Sequence, residues 1–86
     1  MALDGNAIGG LLTEIFAAEM TSAQATCATC GAVRPLADTL VYLRGPGTVV
    51  RCRQCTSILM VISRVRGFNC VDLSGISTLD ATAPSA

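Results

Sequence analysis

The chain begins with an amphipathic segment that predicts a helix over about residues 4–20. Five apolar side chains recur there at intervals of three and four residues, which places them on one helix face; they are Ile8, Leu11, Leu12, Ile15 and Phe16. Asp4 stands where its carboxylate can cap the first turn. Gly9 and Gly10 each cost about 1 kcal/mol relative to alanine inside a helix, so this helix must dock on something. The protein's own sheet or a groove on a partner would both satisfy the pattern, and the five residues are candidate partner-binding positions.

Two β-hairpins are predicted in the second half of the chain. Residues 40–43 and 48–51 are rich in β-formers and flank "GPG", a strong turn signal. Residues 57–65 and 68–73 form a second such pair around "RG". The pattern therefore predicts antiparallel strands that follow the N-terminal helix.

The C-terminal residues 77–86, with neither periodicity nor bulky side chains, are expected to form a disordered tail. The remaining residues 1–76 are too few for more than one domain, with the helix at about 4–20 and the β-rich part at about 25–76. A chain of this size commonly needs a metal, disulfides or a partner to stay folded.

Two cysteine pairs indicate which of these stabilises the fold. They form the pattern C-x2-C-x21-C-x2-C, with Cys27, Cys30, Cys52 and Cys55 as candidate metal ligands. Two intervening residues let both sulfurs of a pair reach one ion, and four thiolates complete a tetrahedral Zn²⁺ site. Gly31 suits the exit from the first tight turn because glycine accepts positive φ cheaply. The sequence predicts a small α+β zinc ribbon in which one structural Zn²⁺ is held by two CxxC knuckles.

Three arginines lie close to these pairs in the sequence: Arg34, Arg51 and Arg53. Four thiolates around one Zn²⁺ carry a net charge of −2, which these guanidinium groups could neutralise. The alternative is a small anion-binding patch that grips phosphate. Tyr42 is the chain's one tyrosine, which leaves little for base stacking, so nucleic acid is an unlikely partner.

Composition favours a protein partner or a second copy of the chain. Hydrophobic residues make up 51% and charged residues only 14%, against a typical charged share of about 25%. So small a domain cannot bury that much apolar side chain, which predicts an exposed apolar patch. The net charge of zero gives little attraction to nucleic acid or anionic lipid.

Several other functions are disfavoured by what the sequence contains. There is no histidine and no convincing acid–base pair, so we expect neither an enzyme nor a small-molecule substrate. The N-terminus carries an acid and no basic region, unlike a secretory signal, and the longest apolar run, residues 58–62, is too short to cross a membrane. We expect a cytoplasmic protein with reduced thiols.

The fifth cysteine, Cys70, lies within a predicted strand. Free cysteine usually behaves as a small buried hydrophobe, so we expect Cys70 in the core. A redox-sensitive thiol is the alternative, and it would require exposure and a lowered pKa.

The opening "ALDGNAIGGLL", the "CATCG" pair and the run "GPGTVVRCRQC" resemble a family of short uncharacterised bacterial proteins, a domain of unknown function with two CxxC pairs. The resemblance reaches to about Leu73. Its members are encoded beside flavin- and molybdenum-dependent oxidoreductases, so it implies an accessory module or small subunit of such an assembly. It implies no catalytic residue.

An iron-containing electron carrier is a further alternative, since rubredoxins also hold their metal in two CxxC knuckles. The sequence resembles them only at "CATCG". Thr56 stands where a rubredoxin has glycine, and the aromatic core of that family is missing. We therefore expect a non-catalytic zinc ribbon that acts as an interaction module, with a nucleic-acid-binding ribbon and a rubredoxin-like carrier as alternatives.

Overall fold

Two antiparallel sheets and one α-helix form the domain in a computed structural model that describes residues 3–44 and 47–80. The elements are β1 (Leu3–Asp4), α1 (Gly9–Phe16), β2 (Gln24–Cys27), β3 (Val33–Pro35), β4 (Leu40–Arg44), β5 (Gly47–Arg51), β6 (Ile58–Val65), β7 (Phe68–Asp72) and β8 (Ile76–Asp80). The five-stranded sheet has the order β1-β4-β5-β6-β7, and the three-stranded sheet has the order β3-β2-β8. The predicted α+β class with one N-terminal helix is confirmed.

Both predicted hairpins are present. β4 pairs with β5 and β6 pairs with β7, each antiparallel. Arg66 and Gly67 connect β6 to β7, both with positive φ (53° and 82°), as the tight two-residue turn of a hairpin requires. Residues 45–46 of the "GPG" turn lie outside the described residues.

The N-terminal helix is shorter than predicted. A 3₁₀ turn, Gly5–Ile8, leads into α1, which ends at Phe16 rather than near residue 20. The chain leaves the helix at Ala17, whose φ of 56° is left-handed. Beyond it the Glu19 carboxylate accepts hydrogen bonds from Thr21 and Ser22, first of all from the Thr21 hydroxyl, and these lower the pKa of Glu19 to about 2. This local turn competes with helix extension.

The start of the helical segment is as predicted. The Asp4 carboxylate accepts a hydrogen bond from the Asn6 N–H at 3.1 Å and so caps the 3₁₀ turn. Capping by the side chain satisfies one of the backbone donors that a helix start leaves without a partner.

The apolar helix face packs on the domain's own sheet. Ile8 and Leu12 are buried, only 5% and 1% exposed, and the other three members pack against the same core, namely Leu11, Ile15 and Phe16. In this structure the five candidate partner-binding residues contact the domain's own core, and partner binding through them stays a prediction. The helical periodicity was correct, but it could not distinguish the domain's own sheet from another protein's groove.

The segment expected as a tail contributes a strand. β8 pairs antiparallel with β2, with Gln24 opposite Asp80 and Cys27 opposite Ile76. The ordered domain thus extends to Asp80 rather than ending at residue 76. The prediction missed this strand because only Ile76 and Leu79 of its five residues are apolar, and its stability comes from backbone pairing to a strand some fifty residues away. Residues 81–86 of the predicted tail lie outside the described residues.

The five-stranded sheet has one covered face and one open face. The covered face carries Val41, Val50, Met60 and Ile62, each at most 2% exposed. A register shift between Val50 and Arg51 lets consecutive Leu59 and Met60 both enter the core. In the ranges that the structure describes, no helix is long and apolar enough to span a membrane.

Candidate metal centre

The four paired cysteines meet where the two sheets come together. The first knuckle, residues 27–31, follows β2 in the three-stranded sheet, and the second knuckle, residues 52–56, connects β5 to β6 in the five-stranded sheet. The Cys27 and Cys55 sulfurs are 3.6 Å apart, and those of Cys30 and Cys52 are 3.7 Å apart. All four sulfurs lie within 4.8 Å of one another. In each of these two pairs, one cysteine belongs to the first knuckle and the other belongs to the second knuckle.

The two knuckles have the same backbone hydrogen bonds. In the first, the Gly31 N–H donates to the Cys27 carbonyl at 2.9 Å, and in the second the Thr56 N–H donates to the Cys52 carbonyl at 2.8 Å. Gly31 has the predicted positive φ of 77°, and Thr56 has a φ of 63° in the equivalent place. Thr56 therefore takes the left-handed conformation that normally favours glycine. No feature of the sequence indicated that a threonine would do so.

Hydrogen bonds direct the thiols toward the charged state that a metal requires. The Cys30 N–H, and after it that of Thr29, lowers the pKa of the Cys27 thiol. The Ser57 side chain and then its N–H lower the pKa of Cys55 to about 6. At Cys30 the Ala32 N–H lowers the thiol pKa, but desolvation and the adjacent sulfurs outweigh it and raise that pKa to about 12. Four crowded thiols cannot all ionise unless a cation compensates them.

The cluster fits a single metal ion. Tetrahedral Zn–S bonds of about 2.3 Å would place sulfurs roughly 3.8 Å apart, close to the distances of 3.6 and 3.7 Å within the two facing pairs. Cys27 and Cys52 are buried, whereas Cys30 is exposed. Four sulfurs from the chain itself can complete such a coordination shell, and the donor set is the one that suits soft, thiolate-preferring metals.

The arginines near the cluster bind protein groups other than the sulfurs. Arg34 and Arg53 both form ion pairs with Asp38, at 2.7 and 3.0 Å. Arg51 donates to the Thr56 carbonyl at 2.9 Å and lies 5.8 Å from the centre of the Tyr42 ring. The sequence did not single out Asp38, although its spacing of four residues from Arg34 was a readable signal. These contacts hold the second knuckle from outside, through Arg53 and the Thr56 carbonyl.

We predict a small effect when Asp38 is replaced. Asp38→Asn removes both ion pairs, but the three side chains are 38–42% exposed, and exposed pairs contribute little. The free energy of unfolding should fall by less than about 1 kcal/mol, measured by chemical denaturation at fixed free zinc. Glu14→Gln, which removes one more exposed pair with Arg64, is the matched control and should change stability less. Loss of metal stoichiometry in Asp38→Asn would contradict this view.

Cys70 does not occupy the core. It is exposed on β7, opposite Ser63 of β6, so the expectation of a buried thiol is wrong. The alternation of the strand explains the error, because Asn69 and Val71 take the inward positions and Cys70 points to the open face. Cys70 is not a member of the four-cysteine cluster.

The fold and the site together define a small α+β domain with a four-cysteine cluster that can hold a metal ion. The chain belongs to a family of unknown function, DUF6510, whose model matches residues 1–84. A search of curated proteins found no match, and neither did a search of solved structures.

Proposed function

We propose that this protein is a non-catalytic zinc ribbon that serves as a protein-interaction module in the reducing cytoplasm. The observation that supports it best is the geometry of the four sulfurs, all within 4.8 Å and supplied by two knuckles of the same conformation. Four protein ligands leave a bound zinc no position for water or substrate, which is the pattern of structural sites.

Zinc is favoured over iron by what surrounds the cluster. The small cavity beside Cys27 and Cys52 is lined by Ala25, Ala32, Thr39 and Leu59 together with two arginines, and by no aromatic ring. Phe68 is 74% exposed and so cannot supply the aromatic core of a rubredoxin. Thr56 adopts positive φ, so the presence of threonine in place of glycine does not argue against iron. The preference for zinc therefore rests on the lack of an aromatic core around the cluster.

A protein partner is favoured over nucleic acid by the surface. Arg34 and Arg53 share the Asp38 carboxylate, so one of their two positive charges is compensated and both guanidinium groups already bind a protein acceptor. Large apolar side chains are exposed instead; Val33, Leu43, Val65 and Phe68 are all more than half exposed. Exposed apolar surface of this kind commonly marks contact with another protein chain.

Native mass spectrometry with elemental analysis of the untagged protein tests this proposal. We expect one zinc per chain in the wild type and also in Cys70→Ser, which leaves the cluster intact. Cys30→Ser should lower zinc occupancy, because it removes one of the four sulfurs. One iron per chain, with a colour that bleaches on reduction, would replace this proposal with the electron carrier. Salt-dependent retention on DNA or RNA would favour the nucleic-acid alternative.

A further inference from the structure

The open face of the five-stranded sheet is more apolar than an exposed face should be. An antiparallel sheet with one solvated face normally alternates apolar and polar residues, whereas strands covered on both sides read as continuous apolar runs. The central strands here contain continuous apolar runs, which are "LVYL" in β4, "VV" in β5 and "ILMVI" in β6. Their inward residues are buried, but Tyr42, Val49 and Val61 on the other face are only partly covered.

The register places these side chains in one row across the sheet. Tyr42 pairs with Val49, Val49 with Val61, and Val61 with Asp72. The row therefore runs from an aromatic residue on β4, through two valines at its centre, to a carboxylate on edge strand β7. This is an apolar centre with a charged end.

The opposite half of the same face is basic. A concavity of about 350 Å³ on the β4–β5 side is lined by Tyr42, Arg44, Val49 and Arg51, with no acidic side chain. A second concavity of about 310 Å³ on the β6–β7 side is lined by residues that include Ser63, Cys70 and Asp72. In the described part of the chain, Arg44 has no ion-pair partner. The face thus carries positive charge on its β4–β5 side and negative charge on its β6–β7 side.

We propose that this face binds the same face of a second copy of the chain. A two-fold axis that lies in the interface, parallel to the strands and between β5 and β6, would place Val49 of each copy on Val61 of the other. The same rotation places Asp72 over the partner's Tyr42 position, between its two arginines, and it does so twice. Isologous contacts of this kind close at two subunits, and aligned sheet packing is an established arrangement.

The Asp72 carboxylate can take part in such a contact. One of its oxygens accepts a hydrogen bond from the Ser74 N–H at 2.8 Å, and that N–H lowers the pKa of Asp72. The Ser74 side chain lowers this pKa further, so the carboxylate is a charged acceptor that a guanidinium group can bind. Its exposed position on the edge strand places it within reach of another molecule.

A second copy is a better occupant than an unrelated protein because this one face supplies both halves of the contact. The zero net charge of the chain gives little repulsion between copies. Four short strands offer an interface at the small end of the specific range, so the dimer should dissociate on dilution. This inference rests on the proposed interaction module and names its partner.

Sedimentation velocity of the zinc-loaded full chain, from low micromolar to near-millimolar concentration, tests the pairing. We expect reversible dimers in the wild type. Val61→Glu places a charge at the centre, and Asp72→Arg sets like charges against Arg44 and Arg51; each should weaken association at least tenfold. Adding Arg44→Asp to Asp72→Arg should recover part of that loss. Asp72→Asn, which keeps the acceptor for Ser74, should weaken association less and controls for folding.

The outcomes separate this inference from the proposed function. A wild type that remains monomeric throughout, with one zinc per chain, would overturn the pairing and leave the zinc ribbon standing. Dimers that none of these substitutions weakens would also overturn it, because they would use another surface. A chain without zinc would count against the proposed function, whatever its oligomeric state. Far-UV circular dichroism and zinc content of each variant exclude unfolding as the cause of dissociation.

Discussion

Removal of the zinc ion that we propose for the four-cysteine cluster should unfold the domain. Cys27 and Cys30 belong to the knuckle that follows β2, and Cys52 and Cys55 to the knuckle between β5 and β6, so the ion would join one sheet to the other. Zinc held by small domains contributes on the order of 10 kcal/mol to folding. That exceeds the stability a domain of this size usually derives from its core. Titration with a strong chelator, followed by circular dichroism and amide exchange, measures the effect.

Cysteine substitutions inside and outside the cluster distinguish a structural role of the metal from a general effect of losing a thiol. Cys52→Ser removes a buried ligand and should give a chain that is unfolded even with zinc present. Cys70→Ser changes an exposed thiol outside the cluster and should unfold at the wild-type chelator concentration. Apo-protein that keeps the wild-type melting temperature would contradict a structural role for the metal.

The cysteine cluster and the hairpins could be predicted from sequence because each is specified locally. A CxxC pair fixes its own turn, and a Gly-containing turn between β-rich runs fixes a hairpin. Sequence reasoning also placed the two knuckles at one site, because a single tetrahedral metal ion takes all four thiolates. Gly31 was recognised in this way, with its φ of 77°.

The features that sequence reasoning missed depend on distant parts of the chain. β8 forms because β2 offers a free edge, and the sequence of residues 76–80 does not show that such an edge is available. Cys70 points outward because β7 is registered against β6 with Val71 opposite buried Ile62; a shift of one residue would have buried it. The helix ends early because of a turn around Glu19, where the helical periodicity still includes Met20.

Gly75 shows how closely the two sheets are joined. The Gly75 N–H donates to the Leu59 carbonyl of β6 at 3.2 Å, and the Ala28 N–H of the first knuckle donates to the Gly75 carbonyl at 2.9 Å. One residue thus connects the five-stranded sheet to the first knuckle. A Cβ at this position would lie 1.8 Å from the Ile58 carbonyl oxygen and 2.7 Å from the Leu59 Cα, so only glycine allows the approach.

Gly75→Ala should therefore destabilise the domain by about 3 kcal/mol, since the obstruction is backbone that cannot rotate away and the strands must separate. Gly10→Ala is the matched control, because nothing lies within 4 Å of its added Cβ and alanine favours the helix by up to about 1 kcal/mol. Denaturation of both variants at equal free zinc gives the comparison. Since the loss arises where the two sheets join, amide exchange should accelerate first at position 75 and at Ala28, whose N–H groups donate these two hydrogen bonds. Equal stability of the two variants would show that β6 and the first knuckle are not held together through Gly75.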